Sequence, residues 1–264
     1  MLAGDPNDPR VKALAWVRPG ARVLEIGCGH GAVTRQLAGG LGCTVVACDV
    51  DPGVEPSLRG AAERFVCGDV GDPATLDRIR GEYDHVLLMD VLEHTSDPAA
   101  VLRALATVAT ERTTFIVTLP NFVVWHVRVP LALGRFEYTD TGTLDRTHLR
   151  FFTLESAHAL LTGAGLDVID TRYTWNVPWL GAVWSRTLIA ETPDLDARVR
   201  RRFPRAAPVL TAVLRVQHAI NEAGLTRGLD ALGQAARAAA PGLLTNHVVL
   251  LARPGSAAGG AARP

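Results

Sequence analysis

The stretch Val23-Leu24-Glu25-Ile26-Gly27-Cys28-Gly29-His30-Gly31 constrains this chain more than any other. An apolar run with one acid near its end reads as a buried strand. Glycine at every second position beyond it reads as a turn stripped of Cβ atoms and open to close approach by a ligand. A β-branched strand follows, Cys43-Thr44-Val45-Val46-Ala47-Cys48-Asp49, and ends in a carboxylate. In a βαβ unit built this way, such an acid bonds the two hydroxyls of a ribose. A nucleoside cofactor is expected. The glycines alone leave its kind open, because Gly27, Gly29 and Ala32 also satisfy the looser dinucleotide pattern.

Further strands narrow the choice. Phe65-Val66-Cys67-Gly68-Asp69-Val70 is a short strand ending in another acid, placed to bond an adenine amino group. Tyr83-Asp84-His85-Val86-Leu87-Leu88-Met89-Asp90-Val91-Leu92-Glu93-His94 is a fourth strand running into a polar segment, and residues 113–119 are a fifth. Helices are predicted over 9–17, 32–38, 73–80, 98–110 and 154–164, with an irregular one between 51 and 64. Residues 166–173 and 246–253 supply strands six and seven. Strands and helices alternating at this spacing give a parallel sheet with right-handed crossovers.

With Glu25 two residues before the first glycine, this set resembles the class I S-adenosylmethionine-dependent methyltransferases over residues 10 to 172 and the final strand. Leu119-Pro120-Asn121-Phe122, Gly134-Arg135-Phe136-Glu137-Tyr138 and Thr147-His148-Leu149-Arg150-Phe151-Phe152-Thr153 carry a closer similarity. They resemble a subgroup of small-molecule enzymes of sugar and surface-polysaccharide pathways, distantly related to the ubiquinone O-methyltransferases. The resemblance implies an α/β, Rossmann-like, seven-stranded and mostly parallel sheet. Its last strand is antiparallel, helices cover both faces, and a helical insertion separates strands six and seven.

The resemblance also implies roles. Glu25 orders the loop; Gly27, Cys28, Gly29 and Gly31 admit the methionyl and ribose portions of S-adenosylmethionine. Asp49, followed by Val50, binds ribose; Asp69 and Val70 hold adenine; Met89 and Asp90 sit by the methionine. The product is S-adenosylhomocysteine. The reaction implied is O-methylation of a sugar hydroxyl in a glycan, glycolipid or glycosylated small molecule. Other readings are N- or C-methylation of a small metabolite, an NAD(P)-dependent oxidoreductase, and a non-catalytic scaffold.

Methyl transfer to a hydroxyl needs a group that takes its proton, and a neutral histidine suits that near pH 7. His148 is the first candidate, with Asp145 as the carboxylate to fix its tautomer; His94, at the exit of strand four, is the second. Each has a plainer alternative as a loop anchor. Asp140, Asp145 and His148 also form an oxygen-rich set compatible with Mg²⁺, but the spacing is not diagnostic and no metal is predicted.

Composition excludes other classes. Twenty-seven basic and 27 acidic residues cancel, which argues against a nucleic-acid binder. The run Arg198-Val199-Arg200-Arg201-Arg202 reads first as a solvated helix face. Cys28, Cys43, Cys48 and Cys67 lack C-x-x-C spacing, so buried thiols are expected rather than disulfides or zinc. No leader and no apolar run near the ~20 residues of a membrane span are seen, and a cytoplasmic protein is expected.

The organisation expected is one methyltransferase domain over 1–264, with 121–150 as an acceptor-site loop region. Residues 175–245 are a helical insertion or cap carrying Trp175, Trp179 and Trp184, and 255–264 a disordered tail. Partners are a small-molecule, sugar or lipid-linked glycan acceptor, with peripheral membrane contact as the sharper reading of the tryptophans. Oligomeric state is left open.

Overall fold

In the computed structural model the described residues are 5, 7–175 and 241–255. All but 241–244 belong to one compact unit; those four form a helical turn, Pro241–Leu244, of a second unit spanning Asn176–Leu244. The expectations for the insertion helices, the arginine run, Trp179, Trp184 and the tail from 256 onward lie outside the described residues.

The first unit holds one seven-stranded sheet. Its strands are β1 (Arg22–Ile26), β2 (Thr44–Asp49), β3 (Arg64–Cys67), β4 (His85–Met89), β5 (Thr114–Pro120), β6 (Leu166–Trp175) and β7 (Thr245–Pro254). They lie in the order β3-β2-β1-β4-β5-β7-β6. The five on the β3 side of the sheet are parallel, whereas β7 runs antiparallel to both β5 and β6. The expected seven-stranded, mostly parallel sheet with an antiparallel last strand is the fold observed.

Burial explains why the central strands read as unbroken apolar runs: both faces are covered. The period of two sends Leu24, Val86, Leu88, Phe115 and Val117 to one face, against α4 (Pro98–Ala106) and α6 (Leu154–Gly163). Val23, Val45, Leu87 and Ile116 point the other way, against α1 (Pro9–Leu14) and α2 (Ala32–Arg35). At the sheet edge β6 carries Asp167, Asp170 and Arg172, the polar residues an unpaired edge tolerates.

Four segments begin with an Asp-Pro pair. Asp8, Asp51, Asp72 and Asp97 each accept a backbone N–H two or three residues ahead, at 2.7–3.0 Å. Each cap is worth about 1 kcal/mol. Two of them start the segments that follow β2 and β3 and so set how the chain leaves the carboxyl ends of those strands, and a third starts α4, beyond the 3₁₀ turn Leu92–His94 that follows β4. These segments are a 3₁₀ helix (Pro52–Leu58), α3 (Pro73–Arg78) and α4.

Two local expectations change. The helix after the glycine turn is regular only to Arg35 and continues as a π-type turn over Gln36–Gly40. Gly39 and Gly40 are wound into it, and the stop falls at Gly42, where φ is +65° and the N–H bonds the Ala38 carbonyl at 3.1 Å. Within 121–150, expected as loop, lies α5 (Trp125–Ala132). Its signal is weak because Pro130 interrupts it and Val127 is its one buried residue, so no apolar stripe marks it. No described helix is long and apolar enough to cross a membrane.

Candidate active site

The site gathers at the carboxyl ends of the parallel strands, where ligands bind in open α/β sheets. Glycine geometry shapes its floor. Gly27 sits at φ +68°, and a Cβ there would lie 2.5 Å from Val91 Cγ2, so only glycine lets the turn pass beneath the β4 exit. The Gly29 N–H donates to Asp49 Oδ2 at 2.8 Å, tying the turn to the end of β2. Asp49 Oδ1 accepts the Asp51 N–H at 3.0 Å, and Asp69 Oδ1 accepts the Gly71 N–H at 2.8 Å. Both carboxylates are held by main chain and stay available to a ligand.

Behind the floor, Glu25 is buried and its Oε2 accepts the Thr34 hydroxyl at 2.7 Å, joining β1 to α2 across the turn. Burial, reinforced by the Asp49 charge, pushes this carboxyl up to about 7. Asp90 is the one described non-glycine residue at positive φ, +55°. Its strain is held by Thr118, whose Oγ1 accepts the Asp90 N–H at 2.9 Å and donates to Asp90 Oδ1 at 2.7 Å.

These residues enclose a cavity of about 550 Å³, the size of a small-molecule site. Gly27, Asp49, Val50, Asp69, Val70, Asp90 and His94 line it, joined by Val91, Asp97 and Leu149. Ile26, Val50, Val70 and Val91 supply apolar walls between four aspartates, and no lysine or arginine is among the lining residues. A pyrophosphate would meet unbalanced negative charge there; a cationic sulfonium meets the complementary one. The residues present therefore fit an adenosyl sulfonium cofactor better than a dinucleotide.

Several expected positions lie outside the lining. Glu25, Cys28, Gly29 and Met89 are outside it, whereas Cys48 borders the cavity; burial pushes the Cys28 and Cys48 thiols up to about 12, which leaves both unreactive. Gly31 is buried; a Cβ there would meet Leu58 Cδ2 at 2.6 Å and its φ is +77°, so its demand for glycine comes from packing and backbone conformation together. Cys28, Cys43 and Cys48 are buried free thiols, and Cys67 is a half-buried one.

Beside the cavity the structure brings His94 and His148 together, with ring centroids 4.8 Å apart in an edge-on arrangement. The link is main chain: the N–H groups of Leu149 and Arg150 both donate to the Glu93 carbonyl, at 2.8 and 3.0 Å. Asp145 does not hydrogen-bond the His148 ring. Its Oδ1 accepts the N–H and hydroxyl of Thr147, which lowers its pKa, while His148 Nδ1 donates to the Thr143 carbonyl at 3.2 Å. His94 Nδ1 faces the Thr147 carbonyl and hydroxyl, at 3.3 and 3.2 Å. Burial, followed by the neighbouring His94, lowers the His148 pKa and keeps its ring neutral at pH 7. Phe151 stacks on Phe122, centroids 4.7 Å apart, and lies 6.5 Å from the His148 ring.

Two features escaped sequence reasoning. Glu93 is 1% exposed, and neither carboxylate oxygen has a hydrogen-bond partner. Burial, with the Asp90 charge nearby, drives its pKa well upward. Its signal was an acid inside the apolar run Val91-Leu92-Glu93. His247, at the start of β7, places Nε2 3.9 Å from Asp90 Oδ1, a contact between strands that no local pattern reports.

Strand order, glycine turn and acids at three strand ends define a Rossmann-like fold with a nucleoside site. A family model described as a methyltransferase domain matches residues 4–171, and the chain belongs to that family, as a distant class I S-adenosylmethionine-dependent methyltransferase. A ubiquinone biosynthesis O-methyltransferase of Caulobacter sp. is 32% identical over 159 residues, 56% of this chain and 60% of that protein. The chain thus spans less than two thirds of that relative's length.

Solved structures share the fold at low identity. The [4+2]-cyclase SpnF superposes with a TM-score of 0.54 at 16% identity, covering 94% of this chain and 81% of its own. Phosphoethanolamine N-methyltransferase 2 of Haemonchus contortus, in complex with S-adenosyl-L-methionine, gives 0.51 at 16% identity, covering 95% of this chain and 52% of its own. A cyclase among these neighbours shows that the fold alone does not settle the reaction.

Proposed function

We propose that this protein transfers the methyl group of S-adenosylmethionine to a hydroxyl oxygen of a ring-bearing small molecule. The observation that carries the reading is the cavity lined by aspartates, without a lysine or arginine, and bordered by one member of a histidine pair. When bound, the cofactor supplies an activated methyl on a sulfonium, so the protein's work is positioning, exclusion of water and proton removal. Asp49 takes the ribose hydroxyls, Asp69 and Val70 the adenine, and Gly27 with Asp90 the methionyl end. Glu25 and Gly29 hold that frame from behind.

His94 and His148 activate the acceptor hydroxyl. Residues 121–150 form its surroundings, and Phe122 and Phe151 offer a face on which a sugar or an aromatic ring stacks. A sugar hydroxyl of a glycan, glycolipid or glycosylated small molecule is the acceptor we favour. The ubiquinone-pathway relative supports oxygen as the methylated atom and makes a phenol the second acceptor to try. Incubation with methyl-labelled S-adenosylmethionine and a panel of glycosides and phenols tests this. Label in an ether of one acceptor class is expected; label transferred only to nitrogen, or to no acceptor, would sink it.

A further inference from the structure

Glu93 presents a problem that methyl transfer does not solve. A carboxylate that is 1% exposed with both oxygens unbonded is costly, yet it lies beside two imidazoles. One oxygen of Glu93 and one ring nitrogen each of His94 and His148 all lie within 4.8 Å of one another. A point shared by three such atoms is no more than about 2.8 Å from each, and side-chain rotation of under about 1 Å brings them to metal-ligand distances of about 2.0–2.2 Å.

The histidines are prepared as ligands. Each directs Nδ1 at a main-chain carbonyl, Thr147 for His94 and Thr143 for His148. A neutral ring donating there carries its lone pair on Nε2, the arrangement outer hydrogen bonds impose on metal-bound histidine. Thr147 in turn donates to Asp145, at 2.7 Å, so the support continues one shell outward. Asp90 and Asp145 add negative charge around the cluster without belonging to it. The two halves are locked by the bonds from Leu149 and Arg150 to the Glu93 carbonyl.

We infer that Glu93, His94 and His148 form a two-histidine, one-carboxylate site for a divalent transition-metal ion, of the Zn²⁺, Co²⁺ or Fe²⁺ type. Two imidazoles favour such ions over Mg²⁺, and three protein ligands leave open positions. His94 also lines the cofactor cavity, which puts the cluster at the edge of that cavity. The metal site stands on its own geometry; its use rests on the methyl-transfer reading. There the ion, with both histidines as its ligands and not as free bases, would bind the acceptor hydroxyl and lower its pKa. The proton leaves to solvent, the oxygen pair forms the new O–C bond, and the C–S pair returns to sulfur as the sulfonium becomes a thioether.

The test is binding, not turnover. Chelator-stripped full-length protein is titrated with Zn²⁺ by calorimetry and with Co²⁺ by visible absorption, and S-adenosylhomocysteine affinity is measured on the same samples. Roughly one ion per chain is expected. His148→Ala and His94→Ala should weaken metal binding by at least roughly 10-fold, and His148→Ala, whose side chain is not part of the cavity lining, should leave S-adenosylhomocysteine affinity nearly unchanged. Glu93→Gln should lose the metal too. As it is buried and its variant is the one most exposed to misfolding, the two histidine variants decide the matter. Absence of stoichiometric metal binding, or metal affinity unchanged in both histidine variants, overturns the site. Metal binding without S-adenosylhomocysteine binding keeps the site and removes the methyl-transfer reading.

Discussion

The two sides of the cavity are built differently. On the cofactor side, each element is a short stretch of chain: a glycine turn with φ above +45° at three positions, and acids that bond main chain two residues ahead. On the acceptor side, the histidine pair joins residues 54 apart in sequence, held by two main-chain bonds to one carbonyl. On the proposed reading, binding the donor is thus a property of local backbone shape, whereas choosing and activating the acceptor is a property of how two distant segments dock. Substitutions should separate the two.

The largest expected effect falls on the acceptor side alone. His148→Ala should lower kcat by about 10²–10³-fold while S-adenosylhomocysteine affinity, read by calorimetry, stays within about 3-fold. Equal losses in both would erase the distinction between the sides. Gly27→Ala should do the reverse. Its Cβ meets Val91 at 2.5 Å in a left-handed turn, so affinity for S-adenosylhomocysteine should fall by roughly 100-fold. Adding Val91→Ala should restore part of it, because the clash goes and the backbone strain remains.

A third effect concerns stability. The Glu25 carboxyl stands at about 7 in the folded chain against an ordinary 4.5, so the folded state holds its proton more tightly than the unfolded one. That contribution is full below pH 4.5, falls as pH rises and is lost above about 7, amounting to at most about 3 kcal/mol. Glu25→Gln keeps the shape beside Thr34 and should flatten this slope in denaturant unfolding series at pH 5 and pH 8; an unaltered slope would show that Glu25 is not its source. The smallest effect is Asp49→Ala, which removes the ribose acceptor and the partner of the Gly29 N–H. A loss of about 2 kcal/mol in S-adenosylhomocysteine affinity is expected, with turnover at saturating donor retained.

What was legible in the sequence follows the same division. The strands, the Asp-Pro starts and the acids of the cofactor side are encoded by neighbours in the chain, and the structure places Asp49, Asp69 and Asp90 around one cavity. Met89, Cys28 and Gly31 share those motifs but lie outside the lining: strand alternation turns Met89 into the core, while Cys28 and Gly31, in the turn, pack against the core cluster beside β2 and against Leu58. His94 and His148 were each legible as candidates from their chemistry. Their proximity was not, since nothing in the spacing of 93–94 and 148–150 announces a shared carbonyl. Asp145 was assigned to His148 from closeness in sequence, yet its carboxylate closes a turn on Thr147, a bond that costs less chain ordering than reaching the ring. Helix α5 and the His247 contact to Asp90 were silent for related reasons: the first lacks a stripe, the second joins strands brought together only by the sheet.

The central claim is that the aspartate-lined cavity is shaped for an adenosyl sulfonium donor. Calorimetric titration of the unaltered protein with S-adenosylhomocysteine and, separately, with NADH tests it most directly. Saturable binding of S-adenosylhomocysteine with no heat from NADH is the predicted result; NADH binding, or no response to S-adenosylhomocysteine, would contradict it.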